Sequence, residues 1–366
     1  MVAMAAEPRI SHRREEDRAS PADAANAPTQ RNAETSDIAR AVEILRAGGL
    51  VAFPTETVYG LGGRAMDPHA LAKIFAAKAR PVNHPLIAHV LGEEDARSLA
   101  ARWTPVASRL AAAFWPGPLT LVVPRASHVP LELTGGGDSV GVRAPLHRIA
   151  RALLHAFGEP IAAPSANRYQ TLSPTTAAHV AASLGAAVDL ILDGGPCSAG
   201  IESTVVDLSR SVPTILRPGA LDFPTLSAVV PELVDAGFLV ADHDLSHASP
   251  GMDRRHYAPV TPLLLARSRA SAIDEAARRA RAGGRVALLL VEPLTGVETP
   301  PLEPMGAGVV SNLGPDPLDY ARALFATLHR LDLGRFEAIL VEPVPEGAAW
   351  RAVADRLRRA SEPLES

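Results

Sequence analysis

Short apolar runs that stop in glycine and hydroxyl residues, separated by amphipathic stretches, constrain this chain more than any other feature of its sequence. Ile38, Val42 and Leu45 fall on one face of a helical pattern that Ser36-Asp37 can cap and Gly48-Gly49 can end, and Leu50-Val51-Ala52-Phe53 follows as a strand. A helix opened by Pro68 is expected near 68–79, a strand at 86–90, helices over 93–114, and short strands at 119–123, 139–143, 160–163, 189–193, 203–208 and 214–217. A helix at 147–156 and one opening after Pro174 interrupt this series. The expected fold class is α/β, with a twisted mixed sheet in a domain spanning 36–238.

Residues 1–35 are charged, rich in Ala and Pro, and aperiodic; they carry too little apolar surface to offset ordering entropy and are expected to be disordered. The stretch 239–262 also lacks periodicity and reads as a linker, but its His, Arg and Tyr content suits a lid better than a plain spacer. Beyond it, apolar runs at 263–265, 286–291 and 339–341 alternate with helical patterns at 271–282, 316–331 and 347–360, so 263–366 is expected to form a small, doubly wound Rossmann-like α/β domain. Within it, Gly306-Ala307-Gly308-Val309-Val310-Ser311 nearly spells a dinucleotide fingerprint. It lacks the third glycine and follows a proline-rich loop, so no cofactor is assigned to it.

Composition excludes several function classes. At 366 residues and a formal net charge of -4, the chain has no polycationic balance with which to grip a phosphodiester backbone, so stable nucleic-acid binding is not expected and any anion site must be local. One cysteine, Cys197, can form neither an internal disulfide nor a cysteine-rich zinc site. Neither a signal-peptide pattern at the start nor a run of 18 apolar residues occurs, and a cytoplasmic location away from membranes is the expectation. All but two of the 36 basic residues are arginines. The exceptions, Lys73 and Lys78, are mildly informative, because an ammonium and a guanidinium do different chemistry.

Polar groups that can handle an anion gather at predicted strand ends, where α/β sheets bind ligands. Phe53-Pro54-Thr55-Glu56-Thr57-Val58-Tyr59-Gly60-Leu61-Gly62 brings hydroxyls and glycines directly after a strand, although alone it would pass for a capped turn. Lys78 and Arg80 meet Pro81 at a helix end and can clamp phosphates, one as a point charge and one as a fork. Pro164-Ser165-Ala166-Asn167 follows a strand without bulk that would block a ligand, and Ser165, with no triad partners evident, reads as a hydrogen-bonder. Glu202-Ser203-Thr204 and Arg217-Pro218-Gly219 repeat the theme.

Together these segments resemble the threonylcarbamoyl-AMP synthase family in its long form, a YrdC-like domain followed by a second domain. The resemblance runs in order over about 37–260, through FPTETVYGLG, the K-A-R-P run with HPLIAHV, FWPGPLTLVV, GVRAP, PIAAPSAN, LDGG, GIESTVVDL, ILRPG and HYAP; it is weaker at the tail, AVADRLRR. It implies a positively lined cavity in which ATP, L-threonine and bicarbonate give threonylcarbamoyl-adenylate and pyrophosphate, with Mg²⁺ carried by the ATP phosphates and no protein metal site. It further implies that the product passes to a tRNA threonylcarbamoyl transferase complex. Lys78, Arg80, Ser165 and Asn167 correspond to the catalytic signature. ATP would be met by Arg80, His84, Asn167, Thr175, Arg217 and Tyr257, and threonine by Thr57, His89, Arg143, Ser165 and Ser203, with Arg143 open to either the carboxylate or the phosphates. His84 stands where the family commonly carries Asn.

Two other classes compete. A double-stranded-RNA-binding module could use a basic concavity, but the acidic balance opposes it. A carbamoyl-transferring maturation factor would need cysteine-rich zinc modules that one cysteine cannot supply.

Overall fold

The computed structural model describes residues 30–32, 35–235, 256–294 and 308–364. The larger sheet holds eleven strands, β1 (Gln30–Asn32), β2 (Val51–Phe53), β3 (Gly60–Arg64), β4 (Ile87–His89), β5 (Leu119–Pro124), β6 (Ser139–Arg143), β7 (Ile161–Ala162), β8 (Leu190–Asp193), β9 (Thr204–Asp207), β10 (Thr214–Arg217) and β11 (Val234–Asp235). Their order is β1-β8-β2-β3-β7-β4-β6-β5-β9-β10-β11. The sheet is mixed as expected: β4 and β6 run parallel, as do β5 and β9, while β3 and β7 run antiparallel.

Each face is covered by helices whose apolar stripes match the sequence pattern. Ala41, Val42 and Leu45 of the helix Thr35–Arg46 join Ile149, Leu153 and Leu154 of Arg148–Phe157 over Val51, Phe53, Ile161 and Leu192. On the other face, Leu71, Ile74 and Phe75 of Pro68–Lys78 and Leu110 of Pro105–Phe114 pack on Leu61, Ala88 and Leu121. Pro68 stands at the first turn after the Asp67 cap, and Lys78 is the last residue of its helix, with Ala79 in the left-handed conformation at φ 51°.

The second sheet is wholly parallel, in the order β14-β13-β15-β12-β16, from β12 (Leu263–Leu265), β13 (Val286–Leu290), β14 (Gly308–Asn312), β15 (Ala338–Val341) and β16 (Glu362–Pro363). Ala272, Ala276 and Ala280 of Arg269–Arg281 cover Val286, Leu288 and Leu290 on one face. Leu324, Phe325 and Leu328 of Pro317–Asp332, with Val353 and Leu357 of Arg351–Ala360, cover Leu289, Ile339 and Val341 on the other, and this same cluster takes in Val58, Leu172 and Ile201 of the first domain. A doubly wound unit therefore docks on the first domain through its own helices.

Several expectations are corrected. Gln30–Asn32, inside the stretch 1–35 read as disordered, pairs parallel with β8, since an edge strand is held by main-chain bonds that need no apolar side chains; residues 1–29 lie outside the described residues. The helices expected over 93–114 are present as Glu93–Leu99 and Pro105–Phe114, separated because Thr104 caps a fresh helix whose first residue is Pro105. The described part of the near-fingerprint, Gly308–Asn312, forms the edge strand β14. Of the expected linker, 239–255 lies outside the described residues, while His256 and Tyr257 are buried. Among the described residues, no helix is long and apolar enough to cross a membrane.

Gly219 shows how tightly the site is backed. A Cβ there would lie 2.4 Å from the backbone of Glu202, Ser203 and Thr204. Gly219→Ala is expected to displace that segment and destabilise the protein by about 2 kcal/mol or more, read as a fall in thermal midpoint. An unchanged midpoint would show that the strand yields freely.

Candidate active site

A cleft opens where the expected segments meet. The turn Pro54–Tyr59 is tied down before any ligand arrives: Thr55 Oγ1 donates to Val58 O at 2.7 Å, and Tyr59 N and Tyr59 OH bond Pro174 O at 2.9 Å and Gly195 O at 2.8 Å. The LDGG segment thus serves as the socket for Tyr59. In the turn after β7, Ala166 N donates to Tyr59 O at 2.8 Å and fixes the Ser165-Ala166-Asn167 segment against it.

Charge enters from strand termini. Arg143, the last residue of β6, donates through Nε to Gly117 O at 3.2 Å, through Nη1 to Thr57 Oγ1 at 2.8 Å and through Nη2 to Glu56 Oε1 at 2.6 Å. Burial works to raise the Glu56 pKa, and Arg143 beside it prevails, holding the carboxyl below its ordinary range. Arg217, which ends β10, donates to Ser203 O at 2.9 Å and Ser203 Oγ at 3.2 Å, and Ser203 Oγ shares a 2.8 Å bond with Thr120 Oγ1. Glu202 accepts from Ser173 Oγ at 2.5 Å and from Arg356 Nε at 2.6 Å. Its pKa is lowered by Arg356 and Arg217 against the opposing effect of burial.

Of the residues singled out in the sequence, Thr57, Arg80, His89, Arg143, Ser165, Ser203, Arg217 and Tyr257 line the cleft. Lys78, His84, Asn167 and Thr175 do not. Lys78 is 1% exposed and its Nζ donates to Ser165 O and Asn167 O, both at 2.5 Å. Desolvation, with Arg80 nearby, pushes its pKa well below the usual value. An ammonium spent on the two carbonyls of the turn is placed to shape the turn. Asn167 Nδ2 bonds Thr171 O at 2.8 Å, Thr175 Oγ1 lies 3.3 Å from His179 Nδ1, and the His84 ring meets Tyr169 edge to face at 5.5 Å. Tyr169 in turn lies under Arg80, whose guanidinium carbon is 5.6 Å from the ring centroid.

Sequence reasoning missed Glu56, Glu202 and His256 as individual lining residues, and saw Arg356 only inside the tail motif, without a role. Glu56 and Glu202 lay within quoted motifs, whereas the partner of Glu202 is supplied by a helix more than 150 positions away. Among the described residues, buried His89 Nδ1, His256 Nδ1 and Tyr257 OH at the cleft meet no hydrogen-bond partner. Such groups are costly unless something binds them.

Burial drives His89 down to about 3 and, with His329 adding to it, His179 to about 4; desolvation also lowers His256, His147 and His329. An unfolded imidazole takes up a proton near 6.5, so below that pH the unfolded state binds more protons and stability falls as pH drops. His89 alone should cost on the order of 2 kcal/mol by pH 5, and the thermal midpoint is expected to drop steadily from pH 7 to pH 5. A flat profile over that window would contradict the buried, neutral imidazoles.

The two lysines make a second test. Lys73 is exposed and, among the described residues, donates to Gly48 O at 2.7 Å, so Lys73→Arg should stay near wild type. Lys78→Arg must fit a larger, planar group into a filled site; it is expected to cost about 1–3 kcal/mol of stability and most of the activity. Equal behaviour of the two variants would remove any special role for Lys78.

Comparisons with known proteins agree with this layout. Residues 43–219 match the family model described as Telomere recombination, and residues 224–362 match that described as Threonylcarbamoyl-AMP synthase, C-terminal domain. The threonylcarbamoyl-AMP synthase of Pyrococcus abyssi is 39% identical over 326 residues, covering 88% of this chain and 93% of that protein; the Bacillus subtilis protein of the same name is 37% identical over 329 residues, covering 88% and 92%. A crystal structure of P. abyssi Sua5 complexed with L-threonine superposes with a TM-score of 0.83 at 38% identity, over 92% of this chain and 97% of that one. Similarity of this extent across both domains places the chain in the threonylcarbamoyl-AMP synthase family, an enzyme family of tRNA modification, to which it belongs in the two-domain form.

Proposed function

We propose that the chain joins L-threonine, bicarbonate and ATP into L-threonylcarbamoyl-adenylate with release of pyrophosphate, in the cytoplasm, and that the product supplies a transferase complex that modifies tRNA. The observation that carries this reading is the lining itself: Arg80, Arg143 and Arg217 converge with the hydroxyls of Thr57, Ser165 and Ser203 on one cleft, where His89 Nδ1, His256 Nδ1 and Tyr257 OH meet no partner among the described residues. Such a lining suits a small zwitterion beside a polyanion. It does not suit a duplex, which needs cations spread over an exposed face.

Thr57, Ser165, Ser203 and His89 are assigned to threonine. His89, held neutral by burial, adds no cation where the amine sits, and the guanidiniums around it favour the uncharged amine. That amine attacks the bicarbonate carbon and water leaves; a carbamate oxygen then attacks the α-phosphorus of ATP, and pyrophosphate departs. Arg80, Arg217 and Tyr257 are assigned to the nucleotide, where buried cations stabilise the charge that builds on the phosphates. Arg143 has three of its donors committed to Gly117, Thr57 and Glu56, so its first task is to orient Thr57, with the remaining N–H groups free to meet an anion. Lys78 and Asn167 act through the Ser165 turn they hold. Because the cleft carboxylates Glu56 and Glu202 are each engaged by an arginine, the donor set favours a Mg²⁺ carried by phosphate oxygens and water, which would neutralise phosphate charge. Tyr257, with His256, closes the cleft, and exclusion of water protects a carbamate that hydrolyses in bulk solvent.

Purified protein given threonine, bicarbonate, ATP and Mg²⁺ should yield a species with the mass of threonylcarbamoyl-adenylate, and omission of any one should abolish it. A site that hydrogen-bonds the substrate hydroxyl penalises analogues lacking it, so 2-aminobutyrate should react at least tenfold more slowly than threonine, by roughly the loss expected for one unpaired buried polar group. Comparable rates would show that the hydroxyl is not read.

A further inference from the structure

The second domain does more than cover the first. Arg356, in the helix Arg351–Ala360, is 1% exposed and points out of its own domain. Its Nε donates to Glu202 Oε2 at 2.6 Å, its Nη2 to Pro218 O at 3.1 Å and its Nη1 to Asp355 Oδ2 at 2.7 Å. Glu202 immediately precedes Ser203, and Pro218 immediately follows Arg217, so one guanidinium grips both segments that carry a cleft residue. The same group lies 4.9 Å from the centroid of the Tyr257 ring.

Tyr257 is itself in the left-handed region, at φ 62°, which a bulky residue holds only when its surroundings impose it. The first domain holds the following residue, Ala258 N donating to Gln170 O at 3.0 Å, and the second domain supplies contacts at the ring itself and at His256. His256 N donates to Arg359 O at 3.0 Å, the Phe325 ring stands 5.8 Å away, and the Arg356 guanidinium supplies a flat cation beside the phenol ring.

We propose that Arg356 is a positioning residue for the nucleotide half of the cleft, acting through Tyr257, so that the second domain sets how firmly the cleft holds ATP. This rests on the assignment of ATP to the side formed by Arg80, Arg217 and Tyr257. A lysine at 356 keeps a charge for Glu202 but loses the planar face and the fork that reaches Pro218.

The test is a double-mutant cycle of Arg356→Lys and Tyr257→Leu, reading ATP affinity by direct titration with Mg²⁺-ATP, the KM for threonine, and the thermal midpoint. Arg356→Lys is expected to weaken ATP binding about tenfold while leaving the threonine KM within about twofold, as loss of a desolvated cation–π contact would. The double variant should bind ATP no more weakly than Tyr257→Leu alone. Wild-type affinity in Arg356→Lys, losses that multiply in the double variant, or a threonine KM that rises in step would each overturn the proposal. Hydrogen exchange on the wild type gives a readout that needs no variant: Mg²⁺-ATP should slow exchange across 351–360, and an unchanged rate there would overturn the role. Wild-type protein that forms the adenylate while Arg356→Lys binds ATP normally sinks the role of Arg356 alone, whereas wild-type protein that binds no ATP sinks the parent assignment with it.

Discussion

Five cationic side chains, Lys78, Arg80, Arg143, Arg217 and Arg356, are buried around one cleft, and the cost of holding them there shapes the surrounding structure. An isolated charge cannot be taken out of water without compensation. Glu56 answers Arg143, Glu202 and Asp355 answer Arg356, and main-chain carbonyls answer Lys78 and Arg217. Those carbonyls belong to the turns that follow or precede strands, where the ladder ends and oxygens are left over. Irregular backbone at the strand termini is thus the medium in which the cations are dissolved. It also explains why the motifs there are short, glycine-bearing and low in bulk: Gly219 leaves no room for even one carbon against the Glu202–Thr204 backbone.

The α/β class and most helices were legible because apolar spacing is a local signal. Ile38, Val42 and Leu45 sit on one turn-repeated face whatever they pack against, and the structure finds them facing Phe53 and Leu154 as that face requires. What escaped was pairing without a hydrophobic signature. β3 begins at Gly60, inside a segment that reads as a polar turn, and its glycines are needed because a Cβ on Gly62 would meet the Phe53 ring at 2.8 Å and Ile161 at 3.0 Å. β1 and β14 are edge strands whose sequences, QRN and GVVSN, carry weak β signals and gain their form from a neighbour already in place.

The site was legible at the level of segments and less so at the level of atoms. Motif position located the residues that converge, but it could not say which of them face the cavity. Lys78 and Arg80 are two residues apart and part company at the end of their helix: Arg80 lines the cleft, while Lys78 turns to the Ser165–Asn167 backbone. Nor could spacing reveal that Glu202 is satisfied by Arg356, since a contact across 154 positions is created by domain docking. The tail motif containing Arg356 was noticed as a mark of the second domain, and its chemical use appears only when the guanidinium is seen to reach Glu202 and Pro218 of the first.

The near-absence of lysine sharpens this point about atoms. A chain that uses arginine almost everywhere keeps lysine at two places, and both ammonium groups turn out to bind main-chain carbonyls, the exposed Lys73 at Gly48 and the buried Lys78 at Ser165 and Asn167. Survival of a lysine is therefore no mark of catalysis by itself, because the exposed one does an ordinary task. The difference lies in the surroundings. A guanidinium at position 73 has solvent to turn into, whereas one at 78 would have to place five N–H groups in a plane where two carbonyls converge on a point. Only at the buried position does the geometry of the head group, as distinct from its charge, decide whether the Ser165 turn keeps its shape, and through that turn whether the cleft does.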